Sequence, residues 1–143
     1  MKPITIINGP NLNLLGLREP EIYGSETLAD VQSQCESLAA ELGVGIRFHQ
    51  SNHEGAIVDL IQDARQTCSG IILNPAGFTT TSVAILDALL ASNLPIVEVH
   101  ISNIHRRERF RQRSLISTAA DAVIAGAGTH GYQLALRHLA ALV

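Results

Sequence analysis

Ile4-Thr5-Ile6-Ile7-Asn8, then a helical stretch from Thr27 to Leu42, then Gly45-Ile46-Arg47-Phe48-His49-Gln50, reads as strand, helix and strand. Short β-branched apolar runs suit strands buried on both faces. Between them Leu28, Val31, Cys35, Leu38, Ala39 and Leu42 recur at three-four spacing, the pattern of a helix with one apolar face. Thr27 is the expected N-cap and Gly43 the expected stop. Outward from this unit the alternation continues. Strands are predicted at Gly70–Asn74, Ile96–His100 and Ala122–Ala125, and helices near Gly55–Thr67, Thr81–Ser92 and Tyr132–Leu142.

Alternation of this kind implies βαβ units on a parallel sheet. Five such strands joined by right-handed crossovers give an α/β, flavodoxin-like three-layer sandwich of strand order 2-1-3-4-5. At 143 residues, 46% hydrophobic and 16% charged, the chain suffices for one domain with a full core, read as spanning 1–143. A net charge of -3 supplies no overall field for nucleic acid or an anionic membrane, so neither partner is expected. No window approaches the ~20 apolar residues of a membrane span, and the start lacks a basic segment before an apolar one, so a cytoplasmic location is expected. Cys35 and Cys68 each sit in an apolar, helix-like context and read as buried small hydrophobes rather than a disulfide.

In this architecture ligands bind at the carboxyl ends of the strands, which directs attention to five loops. The first, Gly9 to Glu26, far exceeds the roughly two to six residues usual for a βα connection, and its length suggests a lid. It carries Arg18 and Tyr23 around Pro20. A phenol of pKa ~10 is a poor base at neutral pH, but a guanidinium beside it favours phenolate, so Tyr23 is a candidate base. Simple packing of Arg18 against Tyr23 on the surface explains the segment equally well. In the second loop, His49 and His53 fall short of the three or four convergent ligands that zinc needs, and no metal is expected; Asn52 reads as a helix cap.

The third loop begins with Asn74 at a strand end and runs into Thr79-Thr80-Thr81-Ser82, where capping accounts for Thr81 and Ser82. In the fourth strand the period of two puts Glu98 and His100 on one side. A carboxylate beside a histidine raises its basicity and fixes its orientation, making His100 a candidate general acid. His105 to Arg113 then holds five of the nine arginines. Without interleaved aromatics or a wider basic surface, it reads as a local anion-binding or interface segment rather than a nucleic-acid patch.

Five blocks, Ile7-Asn8-Gly9-Pro10-Asn11-Leu12, Arg18-Glu19-Pro20 with Tyr23-Gly24, Gln50-Ser51-Asn52-His53-Glu54-Gly55, Asn74-Pro75, and Glu98-Val99-His100-Ile101-Ser102-Asn103, together resemble the type II 3-dehydroquinate dehydratase family in order and spacing. The resemblance spans nearly the whole chain. It implies an acid–base lyase that uses no cofactor or metal and converts the small molecule 3-dehydroquinate to 3-dehydroshikimate by anti elimination through an enolate. It assigns Tyr23 as base, Arg18 as its activator, Asn11 as enolate stabiliser through water, and His100 as proton donor to the departing hydroxyl, oriented by Glu98. Asn74 would help hold the hydroxyl region, the N–H groups of Ile101 and Ser102 the carboxylate, and Arg111 the ring hydroxyls, with Arg107 a further candidate beside Tyr23. It also implies a homo-oligomer, a dodecamer of four trimers, with Asp87 approaching a neighbouring subunit's site. The role would be shikimate-pathway biosynthesis or quinate catabolism, which share this step.

One position departs from the family pattern: Thr80 stands where members usually carry a substrate-contacting histidine. That predicts weaker binding, altered specificity or a catalytically weakened paralogue. Schiff-base chemistry, the route of the unrelated type I enzymes, would have only Lys2 to draw on. An FMN-binding module of the same fold needs a hydroxyl-rich phosphate loop, and Gly9 to Gly16 holds no Ser or Thr. A receiver-type signalling domain needs acidic residues where the chain reads Ile7-Asn8 and Asn74.

Overall fold

β1 (Ile4–Asn8) and β3 (Gly70–Asn74) are buried at every position, as central strands of a parallel sheet must be. The computed structural model describes residues 1–17, 19–23 and 25–143, with Ile22 and Tyr23 described by their backbone alone. With β2 (Ile46–Gln50), β4 (Ile96–His100) and β5 (Ala122–Ala125), these strands form an all-parallel sheet of order β2-β1-β3-β4-β5, the expected one.

Side-chain alternation splits the core into two layers. Ile4, Ile6, Ile72, Val97 and Val99 pack under α2 (Leu28–Leu42) and α5 (His130–Leu142). Ile7, Ile71, Leu73 and Ile96 pack under α3 (Glu54–Thr67) and α4 (Val83–Ser92). Cys35 and Cys68 are buried free thiols, one in each layer, and burial raises the Cys35 thiol to about 11, which suppresses its nucleophilic form. Among the described residues no helix is long and apolar enough to cross a membrane.

The expected caps of α2 are present. The Thr27 hydroxyl accepts from Asp30 N, the Asp30 carboxylate accepts from Thr27 N, and Gly43 closes the helix in the left-handed conformation. Two expected boundaries need correction. Thr81 is outside α4: it ends a 3-10 segment, Ala76–Thr80, and Ser82 is the N-cap, its hydroxyl accepting from Ile85 N. The last helix begins two residues before Tyr132, at His130. Nor is the long first loop irregular throughout, for it contains a 3-10 turn at Leu12–Leu14 and a helical turn, α1 (Pro20–Tyr23).

Candidate active site

Register brings a row of amides to the carboxyl edge of the sheet: Asn8 is level with Gln50 on one side and Asn74 on the other. The first loop leaves this edge pressed against the third. Gly9 N donates to Asn74 O (2.8 Å), and a Cβ on Gly9 would lie 2.5 Å from the Pro75 carbonyl oxygen, so only glycine fits. The loop is also tied to β2, because the Asn52 side-chain oxygen accepts from Asn11 N (2.9 Å) and from Gln50 Nε2 (3.0 Å). This corrects the reading of Asn52 as a helix cap; His53 occupies that position without a capping bond. Asn11 itself takes the left-handed conformation (φ 69°), one that asparagine tolerates better than most residues.

Between these loops opens a cavity of about 290 Å³, near the lower end of the range for small-molecule pockets. Asn11, Asn74, Thr80, His100, Ile101, Ser102, Arg107 and Arg111 all line it. The geometry thus gathers eight of the residues singled out in the sequence. Asp87 is not among them, lying exposed on α4. Arg18 and the Tyr23 side chain lie outside the described residues.

Glu98 and His100 share a face of β4, as strand periodicity requires, and His100 Nε2 donates to Glu98 Oε2. Glu98 is 0% exposed and His100 5%. A buried carboxylate is costly unless donors surround it. Here Ser114 Oγ also donates to Oε2 (2.8 Å) and Ser117 Oγ to Oε1 (2.7 Å). Burial pushes the Glu98 carboxyl up, but the hydrogen bonds from His100, Ser117 and Ser114, with the charge of His100, outweigh it and hold the group below its usual range. With Nε2 committed to Glu98, Nδ1 is the ring nitrogen left to serve the cavity. Ser114 and Ser117 were not singled out in the sequence. The signal available was Glu98 itself, a carboxylate in an apolar strand that must find partners.

Next to His100 the backbone is fixed from β5: Gly126 N donates to His100 O (3.2 Å) and Gly128 N to Ile101 O (3.0 Å). The basic run folds into short 3-10 turns, Ile104–Arg106 and Arg109–Arg111, that direct Arg107 and Arg111 to the cavity wall. Glu108 accepts from Arg111 Nε (2.5 Å), and this bond holds its carboxyl below the usual range. Also lining the cavity, the half-buried Thr80 donates to Gly77 O (3.4 Å). Neighbouring Thr79, also missed in the sequence, is 3% exposed, and its hydroxyl oxygen has no hydrogen-bond partner. Among the described residues no group of three or more His, Cys, Asp or Glu is placed to hold a metal ion.

The chain as a whole has close counterparts. The family model described as "Dehydroquinase class II" matches residues 2–140. A "3-dehydroquinate dehydratase" of Cereibacter sphaeroides is 60% identical over 139 residues, 97% of this chain and 95% of the relative. A "3-dehydroquinate dehydratase 2" of Pseudomonas putida is 55% identical over 144 residues, 100% of this chain and 97% of the relative. The crystal structure of a type II dehydroquinase from Propionibacterium acnes superposes with a TM-score of 0.95 at 40% identity, covering 99% of this chain and 97% of its own. Family model, relatives and solved structure agree, and the chain belongs to the class II dehydroquinase family.

Proposed function

We propose that the chain removes water from 3-dehydroquinate by anti elimination through an enolate, giving 3-dehydroshikimate, with no metal or cofactor. The observation that carries this reading is His100, backed by the buried Glu98, lining a polar, arginine-flanked cavity at the sheet's carboxyl edge. In this reading His100 gives a proton to the departing hydroxyl, which leaves as water when the carbon–oxygen bond breaks. The proton beside the ketone goes to Tyr23, with Arg18 favouring its phenolate, and the electrons of that carbon–hydrogen bond form the enolate. Asn11 steadies the enolate through water. Asn74 and Arg111 hold hydroxyls, the N–H groups of Ile101 and Ser102 hold the carboxylate, and Arg107 flanks the base. Lys2, the single lysine, precedes β1 at the opposite edge of the sheet, which leaves imine chemistry without its nucleophile.

Thr80 favours a second reading, a paralogue of weakened activity. Its short side chain contacts Gly77 and leaves the wall without the reach of the histidine usual in the family. One assay separates the two. Purified chain mixed with 3-dehydroquinate should generate the ultraviolet absorbance of a conjugated enone, and Tyr23→Phe should abolish the signal while melting like the parent. No signal at high enzyme concentration would sink the main reading, and a near-parental rate in Tyr23→Phe would remove Tyr23 as base.

The assembly follows the family expectation, a dodecamer of four trimers acting in the cytoplasm. Support comes from α4, where Val83 and Leu90, 56% and 57% exposed, share one helix face with Asp87. A neighbouring chain covering that face would bring Asp87 to its own site. Both biosynthetic and quinate-degrading roles use the same step.

A further inference from the structure

Resting on the dehydration reading, we propose that Tyr132 is a positioning residue for the reaction, holding the Asn74 amide in the single orientation that offers a donor to substrate. Tyr132 stands in the first turn of α5, is 0% exposed and does not line the cavity. Its hydroxyl accepts from Asn74 Nδ2 (2.9 Å) and donates to Asn8 Oδ1 (2.6 Å), and Asn8 Nδ2 donates to His49 O (3.1 Å).

The direction of this chain is set from its far end. The His49 carbonyl can only accept, so Asn8 must turn Nδ2 toward it and Oδ1 toward Tyr132. The phenol then spends its proton on Asn8 and faces Asn74 with a lone pair. Asn74 is therefore obliged to present Nδ2 rather than Oδ1. Burial pushes the Tyr132 hydroxyl well above its usual range, so it keeps the proton that this polarity requires.

A second anchor demands the same orientation, since Ala76 N donates to Asn74 Oδ1 (3.1 Å). Ala76 holds a left-handed φ of 51°, a conformation that a residue with a Cβ keeps only where surrounding contacts impose it. Asn74 thus has its oxygen tied to the loop and one Nδ2 hydrogen tied to Tyr132. The other Nδ2 hydrogen remains for a hydroxyl in the cavity. Phenylalanine would fill the same space in the core but leave the amide with Ala76 as its single anchor, free to tilt and to lose the directed Nδ2 donor.

A double-mutant cycle tests this. Tyr132→Phe should lower kcat/KM by roughly tenfold, about the worth of one hydrogen bond. In an Asn74→Ala background the same substitution should change kcat/KM little, because its route of action is gone. Equal losses in both backgrounds, or parental kcat/KM in Tyr132→Phe, would overturn the proposal. Asn8→Ala removes the acceptor, frees the phenol to donate toward Asn74, and carries the same expectation should Tyr132→Phe not fold. The Asn74 side-chain amide gives a readout independent of turnover: its two proton resonances should be distinct in the parent and shift or broaden in Tyr132→Phe. An unchanged pair overturns the proposal even if the parent chain proves inactive, an outcome that would count against the dehydration reading alone.

Discussion

Glu98 is a buried charge that three donors make tenable, and its protonation should be felt by the whole fold. Its carboxyl titrates below the ordinary value of 4.5 in the folded chain. The ionised group therefore contributes stability that is fully present above the unfolded pKa and is lost as pH falls through the lower, folded one. Thermal melts taken from about pH 7 down to about pH 3 should show a steep acid limb that Glu98→Gln flattens. An unaltered limb would mean that other carboxylates carry the acid sensitivity. The pairing of Glu98 with His100 was legible because a period of two is all it needs. Ser114 and Ser117 were not, since they reach Glu98 from 16 and 19 residues away through irregular turns that leave no periodic trace. Asn52 was misread for a related reason: a polar residue before a helix has a local use as a cap, and here a distant loop uses it instead.

At the scale of elements, the central strands and α2 were readable because burial on both faces and a capping box leave a local trace in the sequence. The start of α4 was not, because Thr81 and Ser82 are both plausible caps and only packing decides between them. Ser82 is held by Glu54 at the start of α3, its hydroxyl donating to that carboxylate (2.5 Å), which settles where the helix begins. The junction of β1 with the first loop is equally a matter of packing. Gly9→Ala would force a Cβ onto the Pro75 carbonyl, and backbone yields less easily than a side chain. The substitution should cost about 1–3 kcal/mol, read as a lowered denaturation midpoint, and should reduce kcat/KM through displacement of Asn11. A midpoint and rate both at parental values would show that the two loops can separate without cost.

For the molecule as a whole, the order of the sheet followed from alternation read with right-handed crossovers, whereas no periodicity within one chain says what the outward side of α4 faces. If Val83, Asp87 and Leu90 face a neighbour, sedimentation equilibrium should give a particle of twelve chains, and Leu90→Glu should shift it toward smaller species while far-ultraviolet circular dichroism is retained. A monomeric parent would assign that face to solvent.

The Tyr132 bonds to Asn8 and Asn74 close a loop through nearly the full length of the chain. Asn8 belongs to the first strand and Tyr132 to the last helix, 124 residues apart. The Tyr132 anchor of the amide at the cavity is therefore the non-local one, made only when the final helix docks on the sheet. During synthesis, a ribosome-bound chain with all five strands emerged would still lack the Tyr132 anchor of the Asn74 amide, which arrives only with the first turn of the last helix.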